Sequence, residues 1–163
     1  MELHEHCRPL AFLLGVWSGA GEGDYPTIRP FSYLEEVTFG HVGKPFLTYG
    51  QKTRDRDSGE PLHAETGYLR AVGPNDVELV IAQPSGIVEL HRGTVEGQVL
   101  DLELEGILVT GTAKSVVDVE RSFRVHQDPD SGRQALVYDL SMAAVGQPMT
   151  HHLHAELLHQ GAD

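Results

Sequence analysis

Val99-Leu100-Asp101-Leu102-Glu103-Leu104-Glu105 decides the fold of this chain. Leucine falls on every second residue, and an acid sits between each pair. Side chains of an extended strand point alternately to opposite faces, so this stretch reads as a strand with one apolar and one solvated face. A strand of that kind belongs to an antiparallel sheet that covers a core on one side.

The pattern repeats in both directions. Towards the C-terminus, Ser115–Val125 keeps Val117, Val119, Phe123 and Val125 in step. Ala135–Met142 alternates through Leu136, Tyr138, Leu140 and Met142, and Met149–His159 closes the chain. Towards the N-terminus, Ile87–Val95, Val77–Gln83 and Lys44–Arg54 are extended runs. Leu62–Val72 puts His63, Glu65, Gly67 and Leu69 on one face, and Leu62, Ala64, Thr66 and Tyr68 on the other. Ser32–Gly40 sets Tyr33, Glu35, Val37 and Phe39 on a common face. Polar, Gly- and Pro-rich clusters at Asp55–Pro61, Gly73–Asp76, Gln127–Arg133 and Val145–Pro148 mark turns. Val109–Lys114 is rich in Thr and Gly and belongs to no clear strand.

About nine or ten short strands with a turn every eight to twelve residues make an all-β chain. Sequential hairpins predict an up-and-down antiparallel meander, and closure into a barrel removes its exposed edges. A barrel of about ten strands is too wide for its own side chains to fill, so a ligand cavity is expected. The 163 residues suit one domain, 1–163, with a full core. Pro9-Leu10-Ala11-Phe12-Leu13-Leu14 predicts a short helical segment that plugs one end.

After that plug comes Gly15–Glu36, which hands over to the alternation that begins at Ser32. It holds the only tryptophan, Trp17, with glycines at 15, 19, 21 and 23 and prolines at 26 and 30. It reads as a constrained loop that shapes the wall of a cofactor pocket.

The net charge of −12 argues against nucleic acid and anionic membrane surfaces as partners. The charged N-terminus carries no secretory signal pattern, and no run approaches roughly 18 apolar residues. Cys7 is alone, which excludes an internal disulfide and fits a reducing, cytoplasmic location. It reads as a spectator thiol in an exposed, charged tail. A homodimer is compatible with the sequence.

Six of the ten histidines cluster at the two ends, His4 and His6 near the start and His151, His152, His154 and His159 near the end. In a regular strand His152 and His154 share a face, where a metal or haem site is geometrically possible. Spacing alone favours exposed polar side chains, with zinc binding by the terminal histidines a weaker reading. His63 reads as a half-buried histidine or as a group facing a pocket. Glu35 and Glu36 face opposite ways, so they form no carboxylate pair; one is expected in solvent and one in a salt bridge. The last strand raises a conflict. Met149, His151, Leu153, Ala155 and Leu157 are the apolar set, which leaves His152 on the polar face with Thr150, His154 and Glu156.

Gly15-Val16-Trp17-Ser18-Gly19-Ala20-Gly21 matches the Gly-x-Trp-x-Gly-x-Gly signature of the nitrobindin family. Tyr25–Phe31, Tyr33–Glu36, His41–Tyr49, Pro61–Arg70 and Ala144–Met149 also resemble it, most closely its actinobacterial members. The resemblance covers nearly the whole chain. It implies a ten-stranded barrel shaped like the fatty-acid-binding proteins and lipocalins, with haem b at its mouth. It places the axial and catalytic role on His152, within Pro148-Met149-Thr150-His151-His152-Leu153. It places Leu62, His63 and Met142 on the distal side, with Thr27 and Lys114 near the haem. The propionates would point to solvent or meet a local cation such as Lys114 or Arg29. The implied activity is isomerisation of peroxynitrite to nitrate, with reversible binding of nitric oxide. The alternative is a non-enzymatic carrier that holds a fatty acid or other small apolar ligand in the same barrel, without haem.

Overall fold

The computed structural model describes residues 1–161. Ala162 and Asp163, the end of the expected 1–163 domain, lie outside the described residues. The chain forms β1 (Gly15–Tyr25), β2 (Ile28–His41), β3 (Phe46–Asp55), β4 (Pro61–Ala71) and β5 (Asp76–Gln83). It continues through β6 (Ile87–Glu96), β7 (Val99–Val109), β8 (Val116–Gln127), β9 (Gln134–Ala144) and β10 (Thr150–Gln160). Each strand pairs antiparallel with its chain neighbours, and β1 closes the barrel against β10. Among the described residues no helix is long and apolar enough to cross a membrane.

The supposed loop at Gly15–Glu36 is β1, a tight turn, and the first part of β2. Gly19 and Gly21 mark close approach rather than irregular backbone. A side chain at Gly19 would strike the Glu156 carbonyl of β10, and one at Gly21 would strike the Tyr33 ring. Bare backbone there lets β10 and the β2 aromatics pack against β1. The turn and the start of β2 still supply pocket wall, through Tyr25, Thr27, Ile28 and Phe31.

The N-terminal segment is a 3₁₀ helix from Glu5 to Leu13, longer than expected and begun earlier. His4 caps it by accepting from the His6 N–H at 3.2 Å. Cys7, Leu10 and Leu13 are fully buried against Trp17 and the barrel core. The Trp17 indole N–H donates to the Leu13 carbonyl at 2.7 Å, which ties plug to barrel. Cys7 is therefore not in an exposed tail, and burial pushes its thiol pKa up. Its sulfur meets the Lys44 carbonyl, in the β2–β3 connection. In an up-and-down barrel that connection lies at the end opposite the β1–β2 turn, so the plug and the mouth occupy opposite ends.

The closed half of the barrel is apolar. Leu47, Leu69, Leu79, Ile81, Leu100, Leu102, Leu136 and Leu157 are all buried there, each stabilising the fold by roughly 1.5–3 kcal/mol. Phe123 packs on Tyr138 with ring centroids 4.9 Å apart. β-Bulges interrupt the ladder, among them those at Leu62 in β4, Val117 in β8 and His152 in β10. Each inserts one residue and shifts the strand's facing pattern by one. Val117 consequently points outward, 68% exposed, although the alternation predicts it in step with Val119.

Candidate functional site

A cavity of about 650 Å³ opens at the end away from the plug. His152, Thr27, Leu62, His63, Lys114 and Met142 all line it. Arg29, the other cation expected there, is exposed and off the cavity wall. Ile28, Phe31, Val116, Leu140 and Leu153 give the rest of the upper wall its apolar character.

The bulge in β10 resolves the conflict seen in the sequence. The ladder runs in register through His151, skips His152, and resumes at Leu153. His152 and Leu153 therefore both reach the cavity. His151 and His154 turn outward and bond the same Asp139 oxygen, at 3.1 and 2.8 Å. Thus His152 and His154 do not share a face, and His151 does not join the apolar set. Among the described residues no group of three or more His, Cys, Asp or Glu is arranged to hold a metal ion.

His152 is held by two neighbouring residues of β1. Its Nδ1 lies 3.1 Å from the Asp24 carbonyl at the end of β1. A carbonyl only accepts, so Nδ1 carries the hydrogen and Nε2 keeps a lone pair. Tyr25 packs edge-on against the ring at a centroid distance of 5.3 Å. Burial lowers the His152 pKa, which favours the neutral ring.

Below this apolar collar the cavity wall becomes polar, which sequence reasoning missed. Arg121 is 3% exposed and lies between Glu65 and Glu89. Tyr49 and Gln83 also donate to Glu65, and Tyr138 meets Arg121 at 2.9 Å. Burial opposes ionisation of Glu65, but Arg121 and His63 outweigh it and hold the pKa at about 2. Among the described residues Glu35 makes no ion pair; Gln51 donates to it, and burial raises its pKa to about 7. The expected salt bridge at Glu35 is absent; Glu36 is the solvated member, as expected. The signal for this network was parity. Glu65 is in step with His63, and Arg121 with Val119 and Phe123.

The family model for the THAP4-like, heme-binding beta-barrel domain matches residues 6–159. The chain belongs to this haem-binding barrel family. A Mycobacterium marinum protein named peroxynitrite isomerase 2 is 54% identical over 160 residues, covering 96% of each chain. Peroxynitrite isomerase 1 of Mycobacterium tuberculosis is also 54% identical over 160 residues, covering 94% of this chain and 93% of its own. The crystal structure of Rv2717c from M. tuberculosis superposes with a TM-score of 0.88 at 51% identity, covering 98% of this chain and all of that one.

The residues of this haem-binding barrel fit such a group. A neutral histidine with its second nitrogen already bonded presents one free lone pair, the donor an axial site requires. The surrounding collar is apolar, and Lys114 offers a cation on the cavity wall. Val145, in the β9–β10 turn, holds a left-handed φ of 46°, a strained conformation for a β-branched residue on the cavity wall.

Proposed function

We propose that the protein is a haem-dependent peroxynitrite isomerase that carries haem b and converts peroxynitrite to nitrate. The observation that carries this reading is the free Nε2 of His152, oriented by Asp24 within an apolar collar. When bound, ferric haem supplies a Lewis-acid centre for cleavage of the peroxynitrite O–O bond.

The chain's own side chains do the rest. His152 would hold the group through its free Nε2, and the cavity beside it would admit a small ligand, nitric oxide included. Leu62 and Met142 keep that side apolar and discourage water. Thr27 and Lys114, both on the cavity wall, would meet the propionates. Relatives that carry the isomerase name, at 54% identity over nearly the full chain, support the same activity in this protein.

The polar network speaks against the fatty-acid carrier. A carboxylate carried to the depth of this network would need a free cation there, and Lys114 belongs to the β7–β8 connection at the mouth. Arg121 already faces Glu65 and Glu89, and Glu35 adds a further acid. A second anion would enter a wall whose buried arginine is already paired with two carboxylates.

The test is a haemin titration of the wild type and of His152→Ala, followed by absorption spectroscopy. A saturable Soret shift in the wild type, lost in the variant, is expected, with rapid peroxynitrite decay to nitrate in stopped-flow assays. No specific binding by the wild type would overturn the proposal. Equal binding by both proteins would retain haem and reject His152 as its ligand.

A further inference from the structure

The axial site makes no use of the polar network beneath it. Arg121 bonds both Glu65 oxygens, Nη1 to Oε2 and Nη2 to Oε1, each at 2.9 Å. The Arg121 and Glu65 side chains are only 1% and 3% exposed. Desolvation makes a buried ion pair a poor source of stability, but the two parallel bonds fix a carboxylate in one orientation. One edge of that carboxylate faces His63, whose Nε2 lies 3.3 Å from Glu65 Oε1.

The chemistry of this contact is one-directional. Glu65 is ionised well below neutral pH and can only accept. His63 must then carry its hydrogen on Nε2. Its Nδ1 bonds no protein group among the described residues, and the ring lines the cavity, 35% exposed. Glu65 and His63 are two residues apart on β4 and therefore share its inner face. His91 provides an internal contrast. Its Nε2 meets Glu89 Oε2 at 2.8 Å in a similar arrangement, but it is sealed off from the cavity.

We infer that Glu65, clamped by Arg121, is a positioning residue that holds His63 in its Nε2–H tautomer and presents Nδ1 to the ligand. The inference rests on the isomerase reading and assigns a form of its substrate. A neutral Nδ1 is a lone pair, which repels the peroxynitrite anion and accepts the proton of peroxynitrous acid. The acid's O–H bond breaks, Nδ1–H forms, and the electron pair stays on the substrate oxygen. The imidazolium so formed is balanced by Glu65. It returns the proton to water as nitrate leaves, so the acid yields nitrate and one proton with no oxidant or reductant consumed.

The first test uses the haem-free protein, labelled with nitrogen-15 at histidine. Long-range nitrogen–proton NMR spectra are expected to show His63 as the Nε2–H tautomer. A dominant Nδ1–H tautomer in the wild type overturns the inference. Glu65→Gln, whose amide can donate as well as accept, is expected to give a tautomer mixture. Persistence of pure Nε2–H in that variant overturns it too. If Glu65→Gln does not fold, the wild-type spectrum decides alone.

The second test separates positioning from mere support of the fold. Cyanide binds ferric haem as an anion but arrives largely as hydrogen cyanide, so its association needs a proton acceptor. His63→Gln and Glu65→Gln are each expected to slow association by about tenfold or more. The double variant is expected to be no slower than His63→Gln. Additive losses would overturn the inference. Failure of haem to bind would sink the isomerase reading and leave the haem-free spectra to judge Glu65.

Discussion

His152 Nδ1 lies 3.1 Å from the carbonyl oxygen of Asp24, a residue 128 positions earlier in the chain. The contact joins the last strand to the end of the first, and closure of the barrel by β1–β10 pairing creates it. It settles which ring nitrogen is free and so turns an ordinary histidine into a directed donor.

The three clustered histidines are expected to behave differently. His152→Ala should abolish saturable haem binding. His151→Ala and His154→Ala should bind haem as the wild type does, because both rings lie outside the barrel on Asp139. Parallel haemin titrations check this. Loss of binding in His154→Ala with retention in His152→Ala would reverse the assignment.

Truncating Arg121 should be far more damaging than truncating a surface arginine. Arg121→Ala leaves Glu65 and Glu89 buried without their cation. A loss of about 3–5 kcal/mol is expected by urea denaturation. Arg92→Ala breaks an exposed pair with Glu105 and should cost less than about 1 kcal/mol.

Glu35 predicts a specific pH dependence. Burial raises its folded pKa to about 7, from an ordinary value of 4.5. Between those values the folded state binds more protons than the unfolded state. Its contribution is therefore present below pH 4.5 and is lost as pH rises through about 7. Glu35→Gln removes this loss. The variant should gain roughly 1–3 kcal/mol over wild type above pH 7, and the gain should shrink towards pH 4.5. Urea midpoints at both ends of that range measure it, and a gain independent of pH would contradict burial of an ionisable carboxyl as the cause.

Gly21→Val should destabilise the barrel by about 1–3 kcal/mol, because the new side chain meets the buried Tyr33 ring. Thermal unfolding reads the loss directly. Gly59→Ala has open space but a left-handed φ of 74°, so it probes backbone conformation without the clash.

Much of the architecture was legible because strand periodicity is local. The leucines of Val99–Glu105 announce an inner face without reference to any other residue, and Leu100 and Leu102 are indeed buried. Turn chemistry at Gly73–Asp76 and Gln127–Arg133 set the hairpins in the same way. The resemblance in Gly15–Gly21 pointed to the family, although by pattern alone that stretch looked like loop. Its glycines are explained by Glu156 and Tyr33, which are distant in sequence.

Strand alternation, the meander and the identity of the chemical groups are therefore written in the linear chain. Tertiary structure decided where that alternation breaks. The bulge that turns His152 inward and His154 outward is a register shift between β9 and β10 at the mouth. Arg121 and Glu65 are 56 residues apart, and no local pattern says that two charges will neutralise each other inside a barrel. Registry and charge compensation are properties of strands brought together, so they become definite only when the sheet closes.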